Sequence, residues 1–510
     1  MNDRDLRLRE LQLQHPSHKD ILEEIFQSGM LAARSRNDPL PNLPSDILKE
    51  IFSYLVPPTA RLDAFFWLLP LTTVSHDWRN AVLETPLLWS YICIEAVTQD
   101  KAPNRDRAHR HVPPALGVTD EMLSEWAQSR AANRGWLGHE HKVRYHLRVA
   151  SSVPLSVHFV MDHESARGAA VFDLLLAELP RWSAGFLGFS DGASPLWDVF
   201  QARAVQAPLP GLQSLALINP PRNISPAFWE SLPALKSLTL GNLLELPAGA
   251  LKIAHQLERA TLYMPHVEFI RPLLPLLDAL TSAIELTIVQ QNSSESLFAE
   301  PSFFAIPKSV TLGSLSELRL GNCLWYPTSL IFGHYLAPHF KRLSMTFGYD
   351  LHRWDDAIAR LHTFLMRSGC ALEYLYLELD KDDVSIHSHI ASITVLLQSP
   401  EAARLSELHI RIAGASNISK FLTPLTAEAE AAPRLRILAL RGFDFIRGPR
   451  IDELAAARPG LTELWLDRAI RMWGEPSQTR LKVVLKKSWE HFDPMVPSKM
   501  LEPGRERSRW

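Results

Sequence analysis

Cysteine and long apolar runs are both scarce in this chain of 510 residues. Its three cysteines, Cys93, Cys323 and Cys370, are far apart in sequence, so they predict neither a disulfide framework nor a thiolate metal site. The longest apolar stretch, residues 64–71, is much shorter than the roughly 20 residues that a membrane-spanning helix needs. Residues 1–9 are charged and lack the apolar core of a signal peptide. We therefore expect a protein of the cytoplasm, the nucleus or both, with no membrane partner.

An excess of one charge sign is also missing. The chain has 53 lysines and arginines against 56 aspartates and glutamates, and the net charge of −3 predicts no nucleic-acid partner. It contains no Gly-x-Gly-x-x-Gly and no P-loop sequence, so we expect no nucleotide chemistry and no cofactor. With 46% hydrophobic residues, a chain of this length predicts several domains or one elongated repeat array.

A Leu-x-x-Leu-x-Leu pattern, with apolar substitutes, recurs at intervals of 22 to 33 residues. One strand with one helix or coil per unit predicts a parallel sheet in which each unit contacts its neighbours. Helices are predicted between strands, for example over residues 247–256 and 355–366. Cys323 alone occupies the position where regular repeats carry Asn or Cys, so the turns must be satisfied without an asparagine ladder. The ten units begin at Leu212, Leu235, Leu257, Ala283, Leu315, Phe340, Leu372, Leu405, Leu435 and Leu461.

The segments that flank these units carry weaker patterns. Residues 143–150, 155–160 and 182–189 are predicted as strands that begin the sheet, and residues 119–131 and 479–489 as helices. His139, Glu140, His141 and His146 invite a zinc interpretation. Histidines two residues apart do not share a helical face, so we favour a polar loop and expect no metal site.

Before the repeats, a short region has the periodicity of helices. Residues Ile47, Leu48, Ile51, Phe52 and Leu55 lie on one face of a predicted helix, with Pro44 and Asp46 near its start. A second apolar face follows at Val74, Trp78, Ala81 and Val82, and the sequence Pro-Leu-Leu-Trp starts at Pro86. The apolar surface is large for such a small bundle, so part of it is available to a partner.

These residues resemble the F-box, a three-helix motif, over residues 43–92. The resemblance implies that the head docks on the adaptor subunit of an SCF-type cullin-RING ubiquitin ligase, and through it a cullin. The implied adaptor-binding residues are Leu43, Pro44, Ile47, Leu48, Ile51 and Trp78. His76 stands where the family usually has Cys, and the stretch from Val56 to Leu71 is longer than a minimal F-box. The alternative is a generic helical bundle that packs on its own chain.

The repeat units resemble irregular leucine-rich repeats, which implies an α/β fold: a curved solenoid with a parallel sheet on its concave face. In the later units the residues interleaved with the leucines are large or charged, as is typical of binding surfaces. We therefore predict that this face binds an unknown protein substrate, although a merely solvated sheet face explains the same pattern. The predicted substrate-binding residues are Tyr374, Tyr376, Glu378, His409, Arg411, Arg441 and Trp465.

The predicted organisation has five parts: a polar helical lead-in (1–38), the F-box-like head (39–96), a linker and insertion (97–142), the solenoid (143–472), and a C-terminal cap with a charged tail (473–510). No catalytic residue is predicted, and the resemblance to the F-box implies a substrate-recognition subunit rather than an enzyme. Two alternatives stay open. One is a protein-binding scaffold whose head serves another assembly. The other, more remote, is a serine hydrolase using Ser190, which lies in a Gly-x-Ser-x-Gly sequence.

Overall fold

The structure is a computed structural model, and the chain divides into two compact units, Met1–Leu215 and Ala216–Trp510. Within the described residues, no helix combines the length and the apolar character needed to cross a membrane. The described residues are 44–55, 75–96, 136–161, 166–189, 194–221, 223–241, 249–264, 270–290, 309–321, 325–347, 354–379, 386–415, 418–427, 431–443, 445–467, 471–473 and 481–486.

The first unit begins with helical elements and continues as alternating strands and helices. Its strands β1, β2 and β3 pair in parallel and in chain order. A parallel pair needs a crossover, which α3 and α4 provide in turn. The elements are α1 (Ser45–Leu55), α2 (His76–Leu83), a 3₁₀ helix (Pro86–Trp89), β1 (Tyr91–Ala96), α3 (Trp136–Ala150), β2 (Leu155–Met161), α4 (Ala166–Ala177), a 3₁₀ helix (Leu179–Arg181), β3 (Trp182–Phe189) and α5 (Pro195–Gln206).

The second unit is built on a long open parallel sheet. Strand β4 (Ser214–Ile218) lies at the boundary between the units, and the strands that follow pair in the order β5, β6, β7, β9, β11, β12, β13, β14, β16, β18. These strands are β5 (Ser237–Gly241), β6 (Arg259–Met264), β7 (Glu285–Gln290), β9 (Glu317–Gly321), β11 (Arg342–Phe347), β12 (Tyr374–Leu379), β13 (Glu407–Ala415), β14 (Ile437–Phe443), β16 (Glu463–Asp467) and β18 (Lys482–Lys486).

Among the described residues of the second unit, helices and two small sheets accompany the long sheet. Strands β8 (Val310–Thr311) and β10 (Tyr335–Leu336) pair with each other, as do β15 (Phe445–Arg447) and β17 (Arg471–Trp473). The helices are α6 (Pro226–Glu230), α7 (Leu251–Ala254), α8 (Ile270–Ala279), α9 (Trp325–His334), α10 (Trp354–Ser368), α11 (Ile386–Leu397), α12 (Ile418–Ala427) and α13 (Gly448–Ala457), with a 3₁₀ helix at Pro400–Ala402.

All ten predicted repeat strands are confirmed. Each strand begins two residues after the predicted start of its unit, as in β12 after Leu372 and β13 after Leu405. The pattern leucines are buried because they alternate with polar residues and share one face of the sheet, as Leu375 (0% exposed) and Leu377 (1%) do. The predicted helix over residues 355–366 is confirmed as α10, and that over 247–256 as the shorter α7.

The turns between units are satisfied by backbone groups rather than by an asparagine ladder. The N–H groups of Glu373 and Tyr374 both donate to the carbonyl of Lys341, and those of Ser406 and Glu407 donate to the carbonyl of Glu373. The hydroxyl of Ser406 adds a third hydrogen bond to the same Glu373 oxygen at 3.0 Å. Each unit therefore ties its first strand residues to the unit before it.

Three local predictions are wrong. Residues 143–150 form the end of α3 instead of a strand, and the predicted polar loop at residues 139–141 belongs to the same helix. The buried residues Val143, His146 and Ala150 are three and four positions apart, which is the period of a helix. The predicted helix over 479–489 contains strand β18 instead. The predicted strands at residues 155–160 and 182–189 are confirmed as β2 and β3, whereas the predicted helices in residues 1–38 and 119–131 lie outside the described residues.

Candidate functional site

The first helix of the head, α1, has one buried and one exposed apolar side. Asp46 lies in its first turn, and the N–H of Leu48 donates to the carbonyl of Pro44 at 3.1 Å. Leu48 and Phe52, four positions apart, are 1% and 0% exposed. Ile47 and Ile51 have the same spacing and are 45% and 37% exposed. The helix therefore anchors itself through one pair and leaves the other pair in solvent.

The second helix, α2, packs against the buried side of α1. The Ser75 hydroxyl caps α2 by accepting a hydrogen bond from the N–H of Trp78 at 3.2 Å. The Trp78 ring meets the Phe52 ring edge-on, with 5.2 Å between centroids. An exposed ion pair between Lys49 and Glu84 (2.8 Å) raises the pKa of Lys49 and links the two helices.

The 3₁₀ helix Pro86–Trp89 contains both buried and exposed apolar residues. Leu88 (1% exposed) and Trp89 (2%) are in the core, and the Trp89 indole N–H donates to the carbonyl of Val82 at 3.0 Å. Leu87 is 44% exposed. Leu87 was part of the sequence motif but was not predicted as a contact residue. The motif alone does not show which of Leu87 and Leu88 is exposed.

Helix α3 fixes this head to the strands that follow it. His146 is fully buried, and its Nδ1 lies 3.1 Å from the carbonyl oxygen of Trp89. The rings of Tyr145 and His146 meet the Trp89 ring edge-on at 5.2 and 5.3 Å. Lys142 donates to the carbonyl of Cys93 in β1 at 2.8 Å. The histidine-rich segment therefore has a packing role, and no group of three potential metal ligands occurs among the residues that the structure describes.

The predicted adaptor-binding residues do not share one environment. Pro44, Ile47 and Ile51 are exposed, Trp78 is half-buried, and Leu48 is part of the core. Leu43 lies outside the described residues. The structure thus offers Ile47 and Ile51 for direct contact, whereas Leu48 supports the helix that carries them.

The predicted substrate-binding residues lie on the face of the second unit's sheet that is opposite the buried leucines; we call it the polar face. In the sheet register Tyr376 stands beside His409, and Glu378 stands beside Arg411, which in turn stands beside Arg441. Trp465 stands beside Ala439 on the next strand pair. The sheet therefore brings all seven residues of the prediction to one surface, including Tyr374 at the start of β12.

Most of these side chains are buried by one another. Large rings on strands about 4.8 Å apart fill the space above the sheet, so little of each ring reaches solvent. Arg411 and Arg441 are half-buried and supply the accessible charge. The exposed fractions of the others are Tyr374 7%, Tyr376 4%, Glu378 7%, His409 1% and Trp465 9%.

Aromatic rings form a continuous floor around His409. Its ring lies 5.1 Å from the Tyr374 ring, 6.3 Å from the Tyr376 ring and 5.6 Å from the Trp465 ring, between centroids. Burial raises the pKa of Tyr374 to about 12, because the phenolate would lose its solvation. The guanidinium of Arg342 covers the same Tyr374 ring at 4.2 Å.

Carboxylates pair with the polar groups of this floor. Glu378 accepts hydrogen bonds from the Tyr376 hydroxyl and from the Arg411 guanidinium. Glu407 lies 3.6 Å from His409, and that contact holds the pKa of Glu407 below its usual range. Glu463 accepts from the Trp465 indole N–H at 2.7 Å. The face is thus a surface with internally matched charges.

The charged rim of the polar face was missed by sequence reasoning. Glu317 lies 2.6 Å from Arg319 and 3.6 Å from Arg342, both on this face. These residues occupy the same interleaved positions of earlier units, so the repeat pattern itself could have identified them. Ser190, the residue on which the hydrolase alternative depends, lies outside the described residues after β3.

Residues 40–95 match the family model described as F-box-like. The matched range contains α1, α2, the 3₁₀ helix Pro86–Trp89 and most of β1, so it coincides with the exposed Ile47 and Ile51 and with the core that supports them. A search of curated proteins finds no match to the chain. The match supports the interpretation of the chain as an F-box protein.

Proposed function

We propose that this chain is the substrate-recognition subunit of an SCF-type cullin-RING ubiquitin ligase in the cytoplasm, the nucleus or both. The head would bind the adaptor and through it the cullin, and the repeat sheet would bind a target protein. The F-box-like match at residues 40–95 carries the proposal, because F-box domains generally bind such adaptors. The chain would supply no catalytic residue and no cofactor. Its contribution would be proximity between the target and the ubiquitin-transferring subunits.

The exposed pair on α1 supports an apolar contact with the adaptor. Burying a fully exposed isoleucine side chain contributes about 1.5–3 kcal/mol. Because Ile47 and Ile51 are 45% and 37% exposed, burial of what remains accessible on the pair contributes about 1–2.5 kcal/mol. Leu48 and Phe52 hold the helix from behind, so the pair is presented without rearrangement.

Co-purification with the adaptor tests this contact. We expect Ile47→Asp with Ile51→Asp to weaken adaptor capture by about tenfold or more, because the variant loses apolar burial and places two carboxylates in the contact. Val199→Asp is a matched control, since Val199 of α5 is also 37% exposed and lies outside the matched residues. Equal capture by the head variant and the control would contradict the proposed adaptor contact.

The polar face is the surface that we propose for the target, with Tyr374, Tyr376, Glu378, His409, Arg411, Arg441 and Trp465 as its candidate residues. Their ring types and guanidinium groups are those that dominate protein interfaces. Because the rings are packed, the target would contact mainly the accessible arginines and the edges of the aromatic floor.

Proximity labelling in cells tests the target surface. We expect the double variant Arg411→Gln, Arg441→Glu to lose proteins that the native chain labels, while adaptor capture stays unchanged. Arg259→Glu is the control, because Arg259 is an exposed arginine on the same face of β6. An unchanged set of labelled proteins would contradict the proposed surface.

Adaptor capture without the cullin would favour the alternative function, a scaffold outside ubiquitination.

A further inference from the structure

Two arginine side chains face one carboxylate on the polar face, on the strands that precede the aromatic floor. Nε of Arg319 in β9 donates to Glu317 at 2.7 Å. Arg342 in β11 stands beside Glu317 in the sheet register, and its Nε lies 3.6 Å from the same carboxylate. Two positive charges therefore share one negative charge at this place.

Other carboxylates near this group already have partners. Glu378 lies in β12, the next strand after β11, and accepts a hydrogen bond from Arg411. Glu407 stands two strands from Arg342, with a buried histidine 3.6 Å away. Arg436 as well as Arg342 lies near enough to act on the pKa of Glu407. The positive excess is therefore local to the two arginines that face Glu317.

The guanidinium of Arg342 is held in position but stays accessible. It lies 4.2 Å from the centroid of the Tyr374 ring, which is itself buried, and the Arg342 side chain is 47% exposed. Stacking uses the flat face of a guanidinium and leaves the N–H groups in its plane for hydrogen bonds. The 3.6 Å contact with Glu317 is too long for a hydrogen bond, and in the described part of the chain the guanidinium has no other acceptor.

A carboxylate matches this arrangement better than a phosphate does. A guanidinium binds a carboxylate through two parallel N–H···O bonds. One added carboxylate would give the two arginines and Glu317 equal numbers of positive and negative charges. A phosphoryl group carries about 1.5 to 2 negative charges at neutral pH, so it would exceed the positive charge available and repel Glu317.

We propose that Arg342 is the anchor on the polar face for an acidic side chain, glutamate or aspartate, of the target protein. The inference rests on the proposed function, in which this face binds the target, and it names the class of target: a protein with an exposed carboxylate next to the surface that contacts the aromatic floor. The ring of Tyr374 and the charge of Glu317 restrict Arg342 before binding, so less side-chain entropy is lost when the carboxylate binds.

Binding of a defined peptide to the purified full chain tests the anchor. The probe is a fluorescent peptide of alternating glutamate and glycine, and fluorescence polarisation measures its affinity. We expect Arg342→Gln to weaken binding by about fivefold or more, because it removes charge-assisted hydrogen bonds. Arg259→Gln is the matched control, since Arg259 is exposed on the same face, three strands away, and stands beside Glu285. Equal affinities of the two variants would overturn the proposal.

A second substitution separates a positioned anchor from general attraction between charges. Arg342→Lys keeps the charge but loses the forked donors and the stacking on Tyr374, so we expect it to lose most of the affinity that Arg342→Gln loses. Native affinity of the lysine variant would overturn the proposal. Tighter binding of a peptide with phosphoserine in place of glutamate, or equal binding of one with glutamine, would overturn the assignment to a carboxylate.

The peptide measurement uses neither the adaptor nor cells, so its failure is distinguishable from failure of the proposed function. Peptide binding that does not depend on Arg342, with labelling that is lost in the Arg411 and Arg441 variant, would overturn the anchor and leave the target surface in place. Peptide binding that depends on Arg342, with unchanged labelling in that variant, would support the carboxylate site and contradict the proposed target surface.

Discussion

The head and the polar face differ in which residues they expose: the head exposes apolar side chains, whereas the polar face buries polar ones. In the head, Ile47, Ile51 and Leu87 are 37% to 45% exposed although they are apolar. On the polar face, Glu378 and His409 are 7% and 1% exposed although they are polar. An exposed apolar side chain gains free energy when a partner buries it, whereas a buried, hydrogen-bonded carboxylate gains little.

The comparison separates two kinds of surface. The head has apolar side chains that remain accessible, as the proposed adaptor contact requires. The polar face has packed aromatic rings with charges at its rim, so the proposed target would be selected by shape and charge complementarity. Four predictions test this difference, in decreasing order of their expected effect on the free energy of unfolding.

Trp89→Ala should have the largest effect. It removes a ring that contacts Tyr145 and His146 and a hydrogen bond to Val82, so we expect the free energy of unfolding of the first unit to fall by about 3–5 kcal/mol. Urea unfolding followed by tryptophan fluorescence measures it. Leu87→Ala is the control, and a similar loss in that variant would show that the head does not separate core from contact residues.

Glu378→Gln should have an intermediate effect. The amide keeps the shape of the side chain but removes the charge that pairs with Arg411, so we expect a loss of about 2 kcal/mol in the second unit. A double-mutant cycle with Arg411→Met measures the coupling between the two residues. A coupling near zero would mean that the charges of the polar face do not stabilise one another and are available to a partner.

Glu407→Gln should have a smaller effect that depends on pH. Because its pKa in the folded protein is lowered below 4.5, the Glu407 carboxylate stabilises the fold at neutral pH, and this contribution disappears as the pH falls from 4.5 through the lowered pKa. The residue is partly exposed, so we expect less than about 1 kcal/mol at pH 7. Unfolding curves of both proteins should converge in acid. A difference that persists in acid would contradict the pairing with His409.

Ile51→Ala should have the smallest effect on stability. Its side chain is 37% exposed and lies on the other side of α1 from the buried pair, so we expect a change of at most about 0.5 kcal/mol. Leu48→Ala, one turn earlier on the buried side, should lose about 2–5 kcal/mol. Thermal unfolding of the two variants measures the contrast. Equal losses would show that α1 has no free apolar side.

Much of the repeat architecture could be predicted from local pattern. The interval between leucines placed ten strands, because a buried leucine every second residue and a turn before each strand are local signals. Residues 143–150 misled the same reasoning, because Val143, Tyr145, Leu147 and Val149 alternate with polar residues, as they would in a strand. The contact of His146 with Trp89, which is distant in sequence, shows that His146 faces the core, as it does in a helix.

The candidate site was less predictable than the fold. Ile47 and Leu48 are adjacent and apolar, and the pattern grouped both as adaptor contacts. Their environments differ because α2 packs on one side of α1 only. Likewise, Tyr376 and His409 were identified as surface residues from their position in the strands. Their burial depends on which side chains of the neighbouring strand lie beside them, and a local sequence pattern does not predict that register.

The amino-acid sequence by itself determined where the strands begin, that the leucines share one face, and that an F-box-like helical head precedes the sheet, because all three depend on the spacing of residues along the chain. The tertiary structure decided which apolar residues of the head stay in solvent and that the aromatic residues of the polar face bury one another. These properties depend on distances between side chains from different strands and helices, and packing alone sets those distances.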